Sequence, residues 1–343
     1  MMNETEQKKI ISVVPFSESL RAEWNQFIGN KAINATFLHS RDFYDHNPLN
    51  AADDASLMFF KENRLVAVFP ANLYEADTKV ILHSYLRATY GGFIVGNKIG
   101  LEAAIQIVGE TVEYAKQKKV DQIIVRNPFR IYHSNLCDET DYAMWLHGFR
   151  ISKREIETAV QLRGDIRTIR SYYHKGTKFS VLRAKKNIQV RLCEDFKSFW
   201  VLLEKCLMER YGQKPVHDYT SICKLRENVG KNNILLFGAY YGDKLIGGNV
   251  VFNINNSVLH GQYNASDWNF RHFAPLHGVV DFIIGWGHER GFKYFNMGMS
   301  HEDDGRVINK GLLHYKEGFG GRGLLRETMK FDINTEETVL KMS

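Results

Sequence analysis

The feature that most constrains this chain is a repeat. ASLMFFKENRLVAVFPANLY (Ala55 to Tyr74) and NILLFGAYYGDKLIGGNVVF (Asn233 to Phe252) each read as hydrophobic strand, tight turn, hydrophobic strand. A polar turn precedes leucine in both, Asn63-Arg64-Leu65 and Asp243-Lys244-Leu245. Each hairpin leads to another strand, then a helix, then a further strand. The first helix is expected over about Leu101 to Lys119, where Ala104, Ile107, Val108, Thr111 and Ala115 fall on one face. The second is expected over about Leu276 to Arg290, with Val279, Val280, Ile283 and Trp286 on its apolar side and Gly291 as its stop. Two copies of one mixed unit predict an α+β chain of mixed sheets, with a first domain over 1–162 and a second over 163–343. A cleft between them is where function is expected.

The bulk properties allow this. With 343 residues, 44% hydrophobic and 24% charged, the chain is long enough to bury two cores. No apolar run approaches the roughly 20 residues that cross a bilayer, and MMNETEQKK lacks the apolar stretch of a signal peptide, so a cytoplasmic location is expected. Cys137, Cys193, Cys206 and Cys223 form no CxxC pair, so neither a disulfide framework nor a zinc site is expected. The formal charge of +6 suits an anionic ligand without naming it.

Between the copies, about 163–227, lies a helical and basic connector. FKSFWVLLEKCLMERYG carries its clearest helical pattern, and Arg163, Arg167, Arg170, Lys175, Lys178, Arg183, Lys185, Lys186 and Arg191 supply its charge. Nothing there is low-complexity or proline-rich, which predicts a packed segment and not a flexible linker.

The strand, hairpin, strand, helix, strand order is that of the GNAT acyltransferase core, and its duplication resembles the FemABX family of Fem-type peptidyltransferases and related tandem GNAT-type acyltransferases. ATFLHSRDF (Ala35 to Phe43) is similar to the family's FLQS-x-x-W segment, with Phe43 in place of tryptophan. GTKFSVLRAKKNIQVRL (Gly176 to Leu192) is similar to its basic R-x-x-I-R-K-A-x-K-x-G-V segment. Tyr263 to Ser300 follows its second-domain pattern, and LLHYKEGFGG (Leu312 to Gly321) matches the ending F-K-x-G-F-G, with Tyr315 in place of phenylalanine. The resemblance runs from about Phe16 to Phe331. It implies two GNAT-like acyl-CoA N-acyltransferase-fold domains in tandem and transfer of an acyl or aminoacyl group to an amine. Family members use aminoacyl-tRNA to extend a nucleotide-linked cell-wall (peptidoglycan) precursor, and relatives are classed as acetyltransferases of amines or amino sugars. The donor is then aminoacyl-tRNA or acetyl-CoA, with no tightly bound cofactor. A CoA site of the form Q/R-x-x-G-x-G/A would fall on Arg271-His272-Phe273-Ala274-Pro275-Leu276. There only Arg271 and Ala274 fit, and Pro275 removes an N–H donor, so the CoA reading is weakened.

Amine acylation needs charge stabilisation for an oxyanion and a route for a proton. Lys316 is the first candidate, in a glycine-flanked segment that matches the family ending; the plainer reading is a surface lysine beside a turn. Tyr315 is read as packing or a ligand contact. Arg183 offers a planar fork for a diphosphate, with Lys185 and Lys186 as added charge or simply a solvated face. Asp303 and Asp304, in the HEDD loop after a strand ending at Ser300, are candidates to hold the amine or take its proton, against an ordinary polar turn. In the first domain Arg87, with Tyr90, Gly91 and Gly92, marks a turn, and His39 and Ser40 either line the same cleft or are hydrogen-bonded structure.

Other classes have little support. There is no GxSxG nucleophile elbow, no metal-ligand spacing, and no helix-turn-helix, RNP or zinc-finger pattern, so neither a metal nor DNA is expected. RNA contact would come through a charged donor tRNA. The competing expectations are an acetyl-CoA-dependent N-acetyltransferase and a catalytically silent binding module for an anionic partner. The first domain is expected to act as a partner wall, and the second to hold most of the chemistry.

Overall fold

The computed structural model describes residues 11–46, 54–86 and 88–333. The chain forms two compact units: residues up to Arg154 together with those from Arg326 make the first, and Glu155–Leu325 the second. This division departs from the expected boundary after residue 162 because two long strands carry the chain across it, one out and one back.

The elements run in order as β1 (Ile11–Pro15), α1 (Arg21–Asn30), α2 (Arg41–His46), β2 (Leu57–Lys61), β3 (Arg64–Phe69), β4 (Asn72–Ala76), β5 (Lys79–His83) and β6 (Ile94–Val95). Then come α3 (Leu101–Gln117), β7 (Gln122–Arg126), α4 (Glu139–Leu146) and the crossing strand β8 (Arg150–Gln161). The second unit continues with α5 (Ile166–Ser171), α6 (Lys175–Asn187), β9 (Gln189–Cys193), α7 (Phe196–Tyr211), α8 (Tyr219–Val229), β10 (Ile234–Tyr241), β11 (Lys244–Asn253) and β12 (Val258–Ser266). It closes with α9 (Pro275–Glu289), β13 (Tyr294–Met299), β14 (His301–Glu302), β15 (Val307–Ile308), α10 (Lys310–Glu317) and the returning strand β16 (Arg322–Asp332).

The repeated hairpins are β2–β3 and β10–β11, both antiparallel, and each carries a register shift near its turn, at Phe59/Phe60 and at Ala239/Tyr240. Glu62 and Asn63 both take positive φ, the conformation that lets a two-residue turn match strand twist. In the first unit β5 and β7 run parallel, and Phe69 stacks on Phe93 in a core that includes Leu57, Phe59, Ile107 and Val125. Burying one such side chain is worth about 1.5–3 kcal/mol. Helix α3 buries Ala104, Ile107, Val108, Thr111, Val112 and Ala115, the face its periodicity predicts.

In the second unit the strand order is β8-β13-β12-β11-β10-β9. A Cβ on Gly247 would meet Pro275 of α9 at 3.1 Å, and one on Gly248 would meet Phe199 of α7 at 3.0 Å. Successive strand residues point to opposite faces, so α9 and α7 cover the two sides of this sheet. The basic segment 163–227 is thus part of the unit: α6 packs on α9, and α7 on β11 and β12. Gly291, at φ +76°, ends α9 in a double bond pattern, Gly291 N–H to His288 O at 3.0 Å and Phe292 N–H to Gly287 O at 2.9 Å.

Candidate active site

The parallel strands β12 and β13 pair only at Val258/Tyr294, Leu259/Phe295 and His260/Asn296. Beyond that point β12 stays with β11, out to Ser266/Gly247. β13 instead follows β8 with an extra residue, Asn296 facing Ala159 and Met299 facing Glu157. The strands therefore part, and the bulge that parts them depends on Gly298 at φ +77°, a region in which a side chain is strained. Asn296, fully buried, fixes the bulge: its Oδ1 accepts the Gly298 N–H at 2.9 Å and its Nδ2 donates to Glu157 Oε2 at 2.7 Å.

Lys316 comes to this bulge from α10. The helix starts at Asn309, whose side chain accepts the Leu312 N–H, and Lys316 is its one fully buried residue, 4% exposed. Its Nζ donates to Gly298 O at 2.8 Å and to Met299 O. Burial pulls the ammonium pKa down to about 8, against the opposing pull of the Glu157 carboxylate. An ammonium has three donors, so two are fixed on the bulge and one remains. Gly321 allows the packing, because a Cβ there would lie 2.8 Å from Lys316 O. Nearby polar atoms are also left over. Ser300 Oγ and His301 Nε2, just past the bulge, are buried and lack a hydrogen-bond partner among the described residues, as is Asn249 Oδ1. Asn249 lies beside Gly261, where a Cβ would sit 3.3 Å from its amide nitrogen.

The other expected residues are distributed differently. Tyr315 donates to Leu276 O at 3.1 Å and packs edge-on against His277 and Phe319, which ties α10 to α9. His277, whose pKa falls to about 4 through burial and the nearby Arg183 charge, is a neutral ring that the sequence reading passed over. Arg183 is exposed on α6 and donates to His272 O at 3.3 Å. Arg271 stacks over Trp268, 4.4 Å from its ring centre. Asp303 and Asp304 are exposed at the tip of the β14–β15 hairpin, both at positive φ. The carboxylate that bears on Lys316 is Glu157. Lys185 is bound to Asp281, which is 1% exposed and also holds Arg170 and Tyr173.

At the start of α9, Ala274 is left-handed at φ +53° and has no side-chain cap, Pro275 brings no N–H, and the His277 and Gly278 N–H groups are both spent on Ala274 O. This end has little left to offer a pyrophosphate.

In the first unit His39 is 1% exposed. Its Nδ1 accepts the Thr36 N–H at 2.9 Å, so Nε2 carries the proton and donates to Gly91 O at 3.2 Å. Burial lowers its pKa to about 4. Ser40 donates to Phe37 O and accepts the Phe43 N–H, which closes the start of α2. Gly91 and Gly92 are demanded by space: a Cβ on either would come within 2.7 Å of a neighbour. Arg87 lies outside the described residues. The parallel pair of this unit is stitched past its last rung, by Arg126 N–H to Ser84 Oγ at 2.9 Å and Gly91 N–H to Arg126 O at 2.8 Å.

Sequence reasoning missed Glu157. Its signal was present in REIETAVQ, where Glu155 and Glu157 alternate with Ile156: the strand buries both acids, at 6% and 1% exposed, and exposes the isoleucine at 37%. A strand that turns its acids inward marks a polar site.

The repeated hairpin-and-parallel-strand unit gives a mixed α/β fold that is similar to those of several solved structures. Among solved structures that of FemX aligns over 94% of this chain and 98% of its own, with a TM-score of 0.70 at 13% identity. L-PGS from Bacillus licheniformis aligns over 92% and 91%, at TM-score 0.56 and 12% identity. The C-terminal domain of a proposed lysylphosphatidylglycerol synthetase from Agrobacterium fabrum aligns over 92% of each chain, at 0.55 and 12%. No protein-family model and no curated protein matches the sequence. At these identities the likeness is one of fold.

Proposed function

We propose that the protein is an acyltransferase that moves an acyl or aminoacyl group onto an amine of an anionic acceptor of the nucleotide-linked cell-envelope type. The observation that carries this reading is Lys316: a buried ammonium, anchored by two bulge carbonyls, with a third N–H unspent beside parted strands. In the reaction the acceptor nitrogen attacks the acyl carbonyl carbon. The C–N bond forms, the oxyanion that develops is held by the free Lys316 N–H, and collapse breaks the bond to the donor oxygen, which leaves with the amine proton. A fixed donor in a water-poor site costs little reorganisation and is typically worth about 10²–10³ in rate.

Aminoacyl-tRNA is the donor favoured by this reading, because the start of α9 has few free N–H groups for CoA. Turnover is measured with charged tRNA and an amine acceptor, for the wild type and for Lys316→Met, a side chain of similar length without the charge. Loss of turnover in a folded variant supports the reading, and unchanged turnover overturns it. Micromolar binding of CoA by titration calorimetry would move the donor to acetyl-CoA; no turnover with either donor would leave a binding module.

A further inference from the structure

We propose that the outer face of α6 docks the protein on an anionic lipid bilayer surface. This helix has two faces. Thr177, Val181 and Ala184 are buried against the unit. On the other side Lys175, Phe179, Leu182 and Lys186 follow at spacings of four, three and four, which places them in one stripe along the helix. Phe179 is 57% exposed and Leu182 62% exposed. The stripe is an apolar centre with a lysine at each end, and neither lysine has an acidic partner among the described residues.

Neighbouring elements extend the same chemistry. The turn Trp268–Phe273 packs against α6, where Arg183 reaches His272 O, and it presents Trp268 to solvent at 71% exposure with Arg271 stacked on it. Tyr172, just before α6, is 66% exposed. From Arg163 to Leu192 the sequence has nine Lys or Arg and one acid, Asp165, whose carboxylate is committed to the start of α5. Arg170 and Lys185 share the single Asp281 carboxylate, which offsets one of their two charges, and the remaining cations of the segment are exposed.

Exposed aromatic and aliphatic side chains ringed by lysine and arginine are what an interfacial helix offers a membrane: the apolar groups enter the headgroup boundary, and the cations meet lipid phosphates. RNA would stack on Phe179 and Trp268, but it has no use for Leu182 at the centre of the stripe. No described helix is long and apolar enough to cross a membrane, so this is contact from one side.

The full chain is sedimented with phosphatidylcholine vesicles that do or do not contain phosphatidylglycerol, independently of any turnover. Binding is expected with phosphatidylglycerol present, and it should weaken by at least about tenfold in a Phe179→Ser, Leu182→Ser double variant of unchanged melting temperature. Lys175→Gln with Lys186→Gln should weaken it as well and reduce its salt dependence. Equal sedimentation of wild type and double variant, or none by either, overturns the proposal. Binding of uncharged tRNA that the double variant weakens, with vesicles ignored, assigns the face to RNA and overturns it too.

Discussion

Lys316 Nζ lies 2.8 Å from the carbonyl oxygen of Gly298, a residue held at φ +77° in the bulge that separates β13 from β12. The contact ties an ammonium on one helix to the irregularity that opens the sheet. Asn296 reinforces it by bonding both Gly298 N–H and Glu157. This clamp leaves a charged donor at the place in this unit where the parallel strands part.

Because burial lowers the Lys316 pKa to about 8, the ammonium form is lost as pH rises through that value. If the ammonium stabilises the oxyanion, kcat should fall above about pH 8, on a limb set by this group. The Lys316→Arg variant should keep its charge and flatten the limb, whatever its absolute rate. The stability sign is separate: the folded pKa lies below the ordinary lysine value, so this group's burial penalty is full below pH 8 and is relieved as pH rises beyond it. Rate profiles and melts across pH 6–10 measure the two.

Glu157→Gln keeps the shape and an acceptor for Asn296 but removes the charge that holds the Lys316 pKa up. The alkaline limb of the rate should then move to lower pH, by up to about one unit. A limb that stays in place would separate Glu157 from the site.

His39 should govern stability and leave kcat intact. Its pKa is depressed by burial to about 4, below the ordinary histidine value, so its contribution is present above about pH 6.5 and lost as pH falls toward 4. His83 and His133, also depressed to about 4 in this unit, add in the same direction. The melting temperature should drop between pH 7 and pH 5, and His39→Gln should cost about 1–3 kcal/mol at pH 7 while reducing that drop.

Asp281→Ala should be among the most damaging single changes in the second unit, at about 3 kcal/mol or more, because it leaves Arg170, Lys185 and the Tyr173 hydroxyl around an empty place. Chemical denaturation reads this directly. Lys185→Ala should cost much less, as half of that side chain is in water.

The hairpins, the helices α3 and α9 and the glycine stop at Gly291 were legible because each is written in local pattern: period two, period 3.6, and a residue that tolerates left-handed backbone. Lys316 was singled out by the likeness of its segment to the family ending F-K-x-G-F-G, with a surface lysine as the plainer reading, and its burial is what the structure adds. Asp303 and Asp304 were proposed for their acidity after a strand end, but the two-stranded hairpin turns them outward, while an acid on an unremarked strand, Glu157, is the one facing Lys316. His39 looked like a cleft residue, and burial and two backbone partners make it a clamp.

The sequence by itself determined the two hairpins, the helices α3 and α9 and the recurrence of that pattern, because those depend on the spacing of apolar residues along the chain. Only the tertiary structure decided where one unit gives way to the other, that β8 turns its acids inward, and that Lys316 meets the bulge at Gly298. Those depend on register and burial: a strand shows no preference for one neighbour until it is paired, and a charge has no shifted pKa until water is taken from it.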